Sequence, residues 1–383
     1  MEERQRDDEI EARLRLSLIA GPTDPVLGRL LRRYGHAREV WRAVVTGDRI
    51  EPPGDVDGRA FSERLRGLIG RARRVTDRGV AEARDRAGQF GARVVVPGDP
   101  EWPTRLESLG TDQPYLLWVR GNGDLRNACL RSAAVIGARA ATDYGMYVAA
   151  ELGYGLAERG WTTVSGGAFG IDAQAHRGAL SAGGCTVSVL ACGPDIVYPR
   201  SHERLFDEIV GSGVLVSELP PGRTPRRHSF LVRNRLIAAL TPGTVVVEAG
   251  RRSGAMNTAH HAENLHRPVM AVPGPVTSSL SAGCHHLLRD WQAVCVRDAA
   301  DIVDLLGELD NDVLPAGRPR ADPLTLGDSA RAVLAHMDET HCVAPATLAL
   351  RVGCDVPALL RELGLLAAGG LVERSDEGWR RTR

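Results

Sequence analysis

Arginine at the end of a short apolar run is the first arrangement in this chain with chemical potential: Val135-Ile136-Gly137-Ala138-Arg139. A second run closes on Val164-Ser165-Gly166-Gly167-Ala168-Phe169-Gly170-Ile171-Asp172, and His176 follows Asp172 by one helical turn. Three more end in Val189-Leu190-Ala191-Cys192-Gly193, Val216-Ser217-Glu218 and Val245-Val246-Val247-Glu248-Ala249. Ligands of open α/β sheets bind outside the carboxyl ends of the strands, and glycine lets the backbone approach a phosphate there. The chemistry to expect is recognition of a phosphate-bearing ligand.

Each candidate has a competing reading. Arg139, at the tip of its run, is the leading phosphate ligand; the alternative is an ion pair with Asp172 or Glu218. Gly137, Ala138, Ser165, Gly166, Gly167 and Gly170 form turns whose N–H groups face phosphate, or turns that are merely tight. Asp172 and His176 sit at a helix start, where orienting the helix competes with holding a ligand. Arg233 and Arg235 flank Asn234, and on a helix i and i+2 point about 200° apart. One arginine therefore reaches the ligand while the other ties down the Glu218 or Glu248 edge. Ser253 and Gly254 read as a helix start whose free amides hold an anion, or as simple capping.

Between Glu218 and Glu248 there is no acidic side chain, whereas Arg223, Arg226, Arg227, His228, Arg233 and Arg235 crowd one stretch. Arginine's planar fork suits phosphate, and release of counterions makes such binding salt-sensitive. This patch is local, because Lys+Arg 48 equals Asp+Glu 48 over the 383 residues, and all of the basic residues are arginine. Seven cysteines show no C-x-x-C pair and no zinc spacing, so no metal is expected. No signal peptide precedes Leu14 and no apolar run is long enough to span a bilayer, which together predict a cytoplasmic protein without a membrane partner.

The elements that must position these residues fall into three blocks. Glu9 to Arg86 reads as helical, with Leu14, Leu18, Leu27, Leu30, Leu31, Val40, Trp41 and Val44 at helical spacing. From Ala92, β-runs alternate with helices, beginning with Val94-Val95-Val96 and Leu116-Leu117-Trp118-Val119, which predicts right-handed crossovers and a parallel sheet. Within it, a helix from Asp143 to Arg159 is expected to place Tyr144, Tyr147, Val148, Leu152 and Leu156 on one face and to stop at Gly160. Val313 to Pro323, rich in Pro and Gly, reads as a linker. Beyond it, three short helices and a hairpin around Leu371–Arg374 and Gly378–Arg380 describe a winged-helix-like module. The expected fold is α/β: a Rossmann-like parallel sheet domain (87–312) flanked by a helical domain (1–86) and, after the 313–323 linker, a winged-helix-like domain (324–383).

The strand-end motifs, taken in order, resemble the DNA processing protein A (DprA/Smf) family. Ala134 to Arg139 with Thr142 and Tyr144-Gly145 resembles its first strand and turn, and Ser165 to Asp172 with Ala175-His176 its second. Tyr198-Pro199, Ser217 to Gly222, Arg233-Asn234-Arg235, Glu248-Ala249, Ser253-Gly254 with Thr258-Ala259, and Val272-Pro273-Gly274 follow in the family's order. The resemblance implies a SAM-like N-terminal domain and a homodimer. It further implies a protein that binds single-stranded DNA, protects it and loads a RecA-type recombinase on it in natural transformation. Phe169 departs from the pattern, standing where a basic residue is usual; it loses a charge and offers either a stacking face or a core residue. His202 stands where Asn is frequent and Leu231 where Pro is.

Two other classes compete. Sheet enzymes that hydrolyse the glycosidic bond of nucleoside monophosphates also carry a buried Glu, which would make Glu248 catalytic. Against them, Pro242-Gly243-Thr244 lacks a preceding glycine pair, and no second carboxylate pairs convincingly with Glu248. A double-stranded DNA-binding regulator acting through the winged helix is the other, yet its third helix offers Arg361 beside Glu362 on a mostly apolar surface. No G-x-G-x-x-G follows a strand, so no dinucleotide cofactor is expected.

Overall fold

The computed structural model describes residues 3–47, 50–52, 57–313, 328–338, 341–368, 371–375 and 378–381. The chain forms two compact units, Met1–Leu309 and Asp310–Arg383. The first opens with helices α1 (Glu3–Ile19), α2 (Pro25–Tyr34), α3 (Ala37–Thr46), α4 (Gly58–Ala72) and α5 (Asp77–Gln89). Local chemistry sets their ends: the Asp24 carboxylate accepts from the Val26 and Leu27 amides ahead of α2, Pro25 needs no N–H there, and Gly35 closes it at φ 78°. Leu16, Leu27, Leu30, Val40, Phe61 and Leu68 make the core of this layer. Tyr115 from the sheet region packs into the same core, and Arg13 donates to its carbonyl at 2.8 Å.

The sheet follows as β1 (Ala92–Val95), β2 (Leu117–Arg120), α6 (Leu125–Leu130), β3 (Ser132–Ile136), α7 (Asp143–Glu158), β4 (Thr162–Ser165), α8 (Ile171–Ser181), β5 (Thr186–Val189), α9 (Glu203–Ser212), β6 (Val214–Ser217), α10 (Arg227–Leu240), β7 (Thr244–Val246), α11 (Gly254–Asn264), β8 (Val269–Ala271), α12 (Ala282–Asp290), β9 (Val294–Cys295) and α13 (Ala299–Val313). The strand order is β1-β2-β6-β5-β4-β3-β7-β8-β9. The seven strands from β6 to β9 are parallel, as a Rossmann-like sheet requires, and an antiparallel edge is added to them: β1 and β2 run antiparallel to each other and β2 antiparallel to β6. Parallel neighbours need a helical crossover, and only a 3-10 helix, Thr104–Asp112, lies between β1 and β2. From β3 the chain builds toward β6 on one side, then returns to build β7 to β9 on the other. The crevice between the ends of β3 and β7 is thus a topological switch point.

Helix α7 corrects one expectation. Its buried face is Gly145, Ala149, Leu152, Gly153 and Leu156, while Tyr144 and Tyr147 are exposed. The cause is close packing on α8: a Cβ on Gly153 would lie 2.1 Å from the Ala175 carbonyl oxygen, so this face admits no tyrosine.

The second unit holds α14 (Asp328–Ala335), α15 (Pro345–Val352) and α16 (Val356–Ala368), then a hairpin of β10 (Val372–Ser375) and β11 (Gly378–Arg381). Val333, Leu348, Leu359, Leu363 and Leu366 are its core. Val313 is the last residue of α13, and the rest of the expected linker lies outside the described residues.

Candidate nucleic-acid interface

Three loops meet at the switch point. After β3, the Ala138 amide donates to the Glu248 carbonyl at 2.7 Å and the Ala138 carbonyl accepts from Ile171 at 3.2 Å, so the ends of β3, β4 and β7 are knitted together. Gly137 is required at this crossing, because a Cβ would meet Ile171 at 2.5 Å. Arg139 emerges exposed, with its guanidinium over the Phe230 ring at 4.7 Å. The ion pair weighed for it does not form, since both carboxylates are held by other groups.

Asp172, buried at the start of α8, accepts from the Gly166 and Ala168 amides at 3.2 and 3.3 Å. Burial raises its pKa; the nearby Arg233 and these amides oppose that. Two of the turn's N–H groups therefore point inward to a carboxylate, not outward to a phosphate. Arg233 completes the clamp from the other side, donating to the carbonyls of Gly166 and Val189. Burial lowers its guanidinium to about 10. Ser165 is also internal, its hydroxyl on the Val135 carbonyl at 2.7 Å. Gly167 (φ 66°) presents its carbonyl to His202, and Phe169 stands half exposed at the tip.

His176 is 0% exposed and unavailable to a ligand. Thr186 Oγ1 spends its proton on the Thr163 carbonyl, so the imidazole Nδ1–H donates to Thr186 Oγ1 at 2.7 Å. Burial brings the ring down to about 3, keeping it neutral.

Helix α10 carries its motif residues inward. Arg235 makes a two-pronged bond to Glu218 at 2.7 and 2.6 Å and donates through Nε to the Asp112 carbonyl at 3.0 Å. Asn234 donates to the Gly254 carbonyl and Asn257 Oδ1 at 3.2 and 3.1 Å, fixing the start of α11. The two arginines diverge as helix geometry requires, but both are consumed inside, because strand-end carbonyls and Glu218 satisfy them there. Ser253 has N-cap backbone geometry without a side-chain cap bond, and its Oγ is buried with no partner. Gly254 follows it, exposed.

What remains outward is an open groove of about 890 Å³ lined by Arg139, Tyr198, Arg227, Phe230, Arg252 and Ser253, among others. Arg223, Arg226 and His228 are exposed near it. Three of its residues escaped sequence reasoning as ligands. Tyr198 was visible only as part of a motif, Phe230 as the aromatic within the arginine stretch, and Arg252 as the residue before Ser253. Glu248, by contrast, is 1% exposed and accepts from the Thr142 amide and hydroxyl at 2.9 and 2.6 Å, which ties β7 to the start of α7. Among the described residues no cluster of metal-ligating side chains occurs and no helix is long and apolar enough to cross a membrane.

Comparison with known proteins agrees with this architecture. The family model described as DNA recombination-mediator protein A matches residues 93–307, more than half of the 383. A putative DNA processing protein DprA of Mycobacterium tuberculosis is 44% identical over 320 residues, spanning 81% of this chain and 82% of the relative. The crystal structure of Streptococcus pneumoniae DprA superposes with a TM-score of 0.63 at 29% identity, covering 76% of this chain and 95% of that one. DNA processing protein A of Helicobacter pylori, solved to describe its single-stranded DNA binding mode, gives a TM-score of 0.52 at 29% identity over 57% of this chain and 97% of that one. The chain belongs to the DNA recombination-mediator protein A (DprA/Smf) family.

Proposed function

We propose that the groove at the switch point binds single-stranded DNA, and that the protein works in the cytoplasm as a homodimer that protects the strand and loads a RecA-type recombinase on it. The observation that carries the DNA reading is the groove's rim: exposed arginines and aromatic faces, with no acidic residue between Glu218 and Glu248 to repel a phosphate chain. Gly137, Ala138, Ser165, Gly166, Gly167, Gly170, Asp172, Arg233 and Asn234 shape this site, while Arg139, Ser253 and Gly254 line it and Phe169 lines an adjoining hollow that shares Arg139, Tyr198 and Phe230. The Helicobacter relative's single-stranded DNA binding supports the same assignment. Duplex recognition through the 324–383 domain, read as winged-helix-like, is a weaker fit, since Leu350, Val356 and Leu360 are exposed apolar residues among its described ones.

Fluorescence anisotropy with matched single-stranded and duplex oligonucleotides tests the DNA assignment; tighter binding to duplex would end it. Recombinase loading is tested by filament assembly on DNA coated with a single-strand-binding protein. Stimulation by intact protein, lost in Arg139→Ala, is expected, and simple competition for the strand would remove the loading role. Glu248→Gln addresses the hydrolase alternative: turnover of AMP, GMP, CMP or UMP that vanishes in this variant would establish it.

A further inference from the structure

We propose that Phe169, backed by His202 and Phe206, is a preformed platform on which one unpaired nucleobase stacks. This rests on the reading of the groove as a single-strand site and adds a base-recognition element to it. Phe169 is 50% exposed at the tip of the β4 loop, an uncharged ring lining a hollow that Arg139 also lines. A ring half in water keeps one face free for a ligand, and stacking there would recover part of the stabilisation that its burial would give.

The ring is held in place from behind. Its centroid lies 4.8 Å from that of His202 at an interplanar angle of 70°, and His202 in turn lies 6.2 Å from Phe206 at 86°. Edge-to-face contacts of this kind are attractive. His202 and Phe206 are 4% and 2% exposed, so a ladder of three rings runs from the groove into the core. A carbonyl can only accept, so His202 Nδ1–H donates to the Gly167 carbonyl at 3.1 Å. One imidazole thereby supports both the ring and the backbone that carries it.

Across the same hollow stand Tyr198, 45% exposed, and Phe230, whose rings lie 5.6 Å apart, with the Arg139 guanidinium over Phe230. A flat aromatic ligand with charge beside it satisfies this hollow. A nucleobase with its phosphate toward Arg139 has that form, whereas a paired base has both faces occupied by its stack.

The test uses the full chain and a short fluorescent oligonucleotide, compared with the same strand carrying abasic positions, in anisotropy titrations at one salt concentration. Wild type is expected to bind the abasic strand about five- to tenfold more weakly. Phe169→Leu should bind the normal strand about as weakly as wild type binds the abasic one, discriminate little between the two, and keep the wild-type salt slope. Phe169→Arg should recover affinity with a steeper slope but no discrimination. His202→Asn retains an N–H for the Gly167 carbonyl but removes the ring, and should lose part of the discrimination while keeping the wild-type salt slope. Wild type that binds both strands equally, or Phe169→Leu that discriminates as wild type does, overturns the platform and leaves the groove's DNA role standing. Failure of wild type to bind the normal strand overturns both.

Discussion

Arg235 and Glu218 face one another inside the protein, 3% and 6% exposed at the side chain, joined by two hydrogen bonds of 2.7 and 2.6 Å. The pair links α10 to the end of β6, and Arg235 Nε extends the link to the Asp112 carbonyl. Removing one partner strands a buried charge, which costs about 3–5 kcal/mol. Glu218→Gln is therefore expected to lower the unfolding free energy measured by urea melts by that amount, and Glu218→Leu with Arg235→Met to recover much of it. Stability unchanged in the single variant would show that water reaches the pair.

Arg139 is an exposed cation at the switch point and stacks on Phe230. Arg139→Ala should weaken single-strand binding by about 1–3 kcal/mol, the scale of a charge-assisted hydrogen bond. Arg139→Lys should restore only part of it, because ammonium lacks the planar fork. Titration by anisotropy measures both; full affinity in Arg139→Ala would place the strand elsewhere.

The exposed arginines at the start of α10 predict a salt effect. Each phosphate contact to a single strand contributes about 0.7 to the slope of log K against log salt. Arg226→Gln with Arg227→Gln should flatten that slope by about 0.7 to 1.4 if one or two contacts are lost. An unaltered slope would exclude them from the footprint.

His176 sets a pH dependence of folding. It titrates near 6.5 when unfolded and near about 3 in the folded protein, so the unfolded chain takes up this proton first as pH falls. The stability it supports is complete above about 6.5 and declines toward about 3, by up to about 1.4 kcal/mol per pH unit. Urea melts across this range should show the decline, and His176→Asn should lower stability at neutral pH while flattening the curve. An equally steep curve in the variant would assign the decline to other groups.

Much of this was legible in the chain. Runs such as Val135-Ile136 and Val245-Val246 became strands, and the turns after them gathered along one edge. Side-chain direction was harder to read. Arg233 and Arg235 are surface residues by type, and only the fold shows that strand-end carbonyls and Glu218 receive them within. Tyr144 and Tyr147 shared a helical spacing with Leu152, but Gly153, packed on α8, and Gly145, packed on Glu248, decided which face turns inward. Phe169 and His202 lie far apart in sequence and looked like separate departures from the family pattern, yet they are ring neighbours. Interactions across loops have no period, so no pattern announces them.

The inward turn of the Gly166 and Ala168 amides toward Asp172 has a bearing on how a strand could travel. A cradle of backbone amides matches one phosphate in one position and must be broken before the next can enter. Here that cradle is already filled by the protein's own carboxylate. The charges left for a ligand sit at the ends of long, rotatable arginine stems, which can exchange one phosphate for its neighbour by turning. On the proposed single-strand reading, such a grip would let a strand shift past the groove one nucleotide at a time.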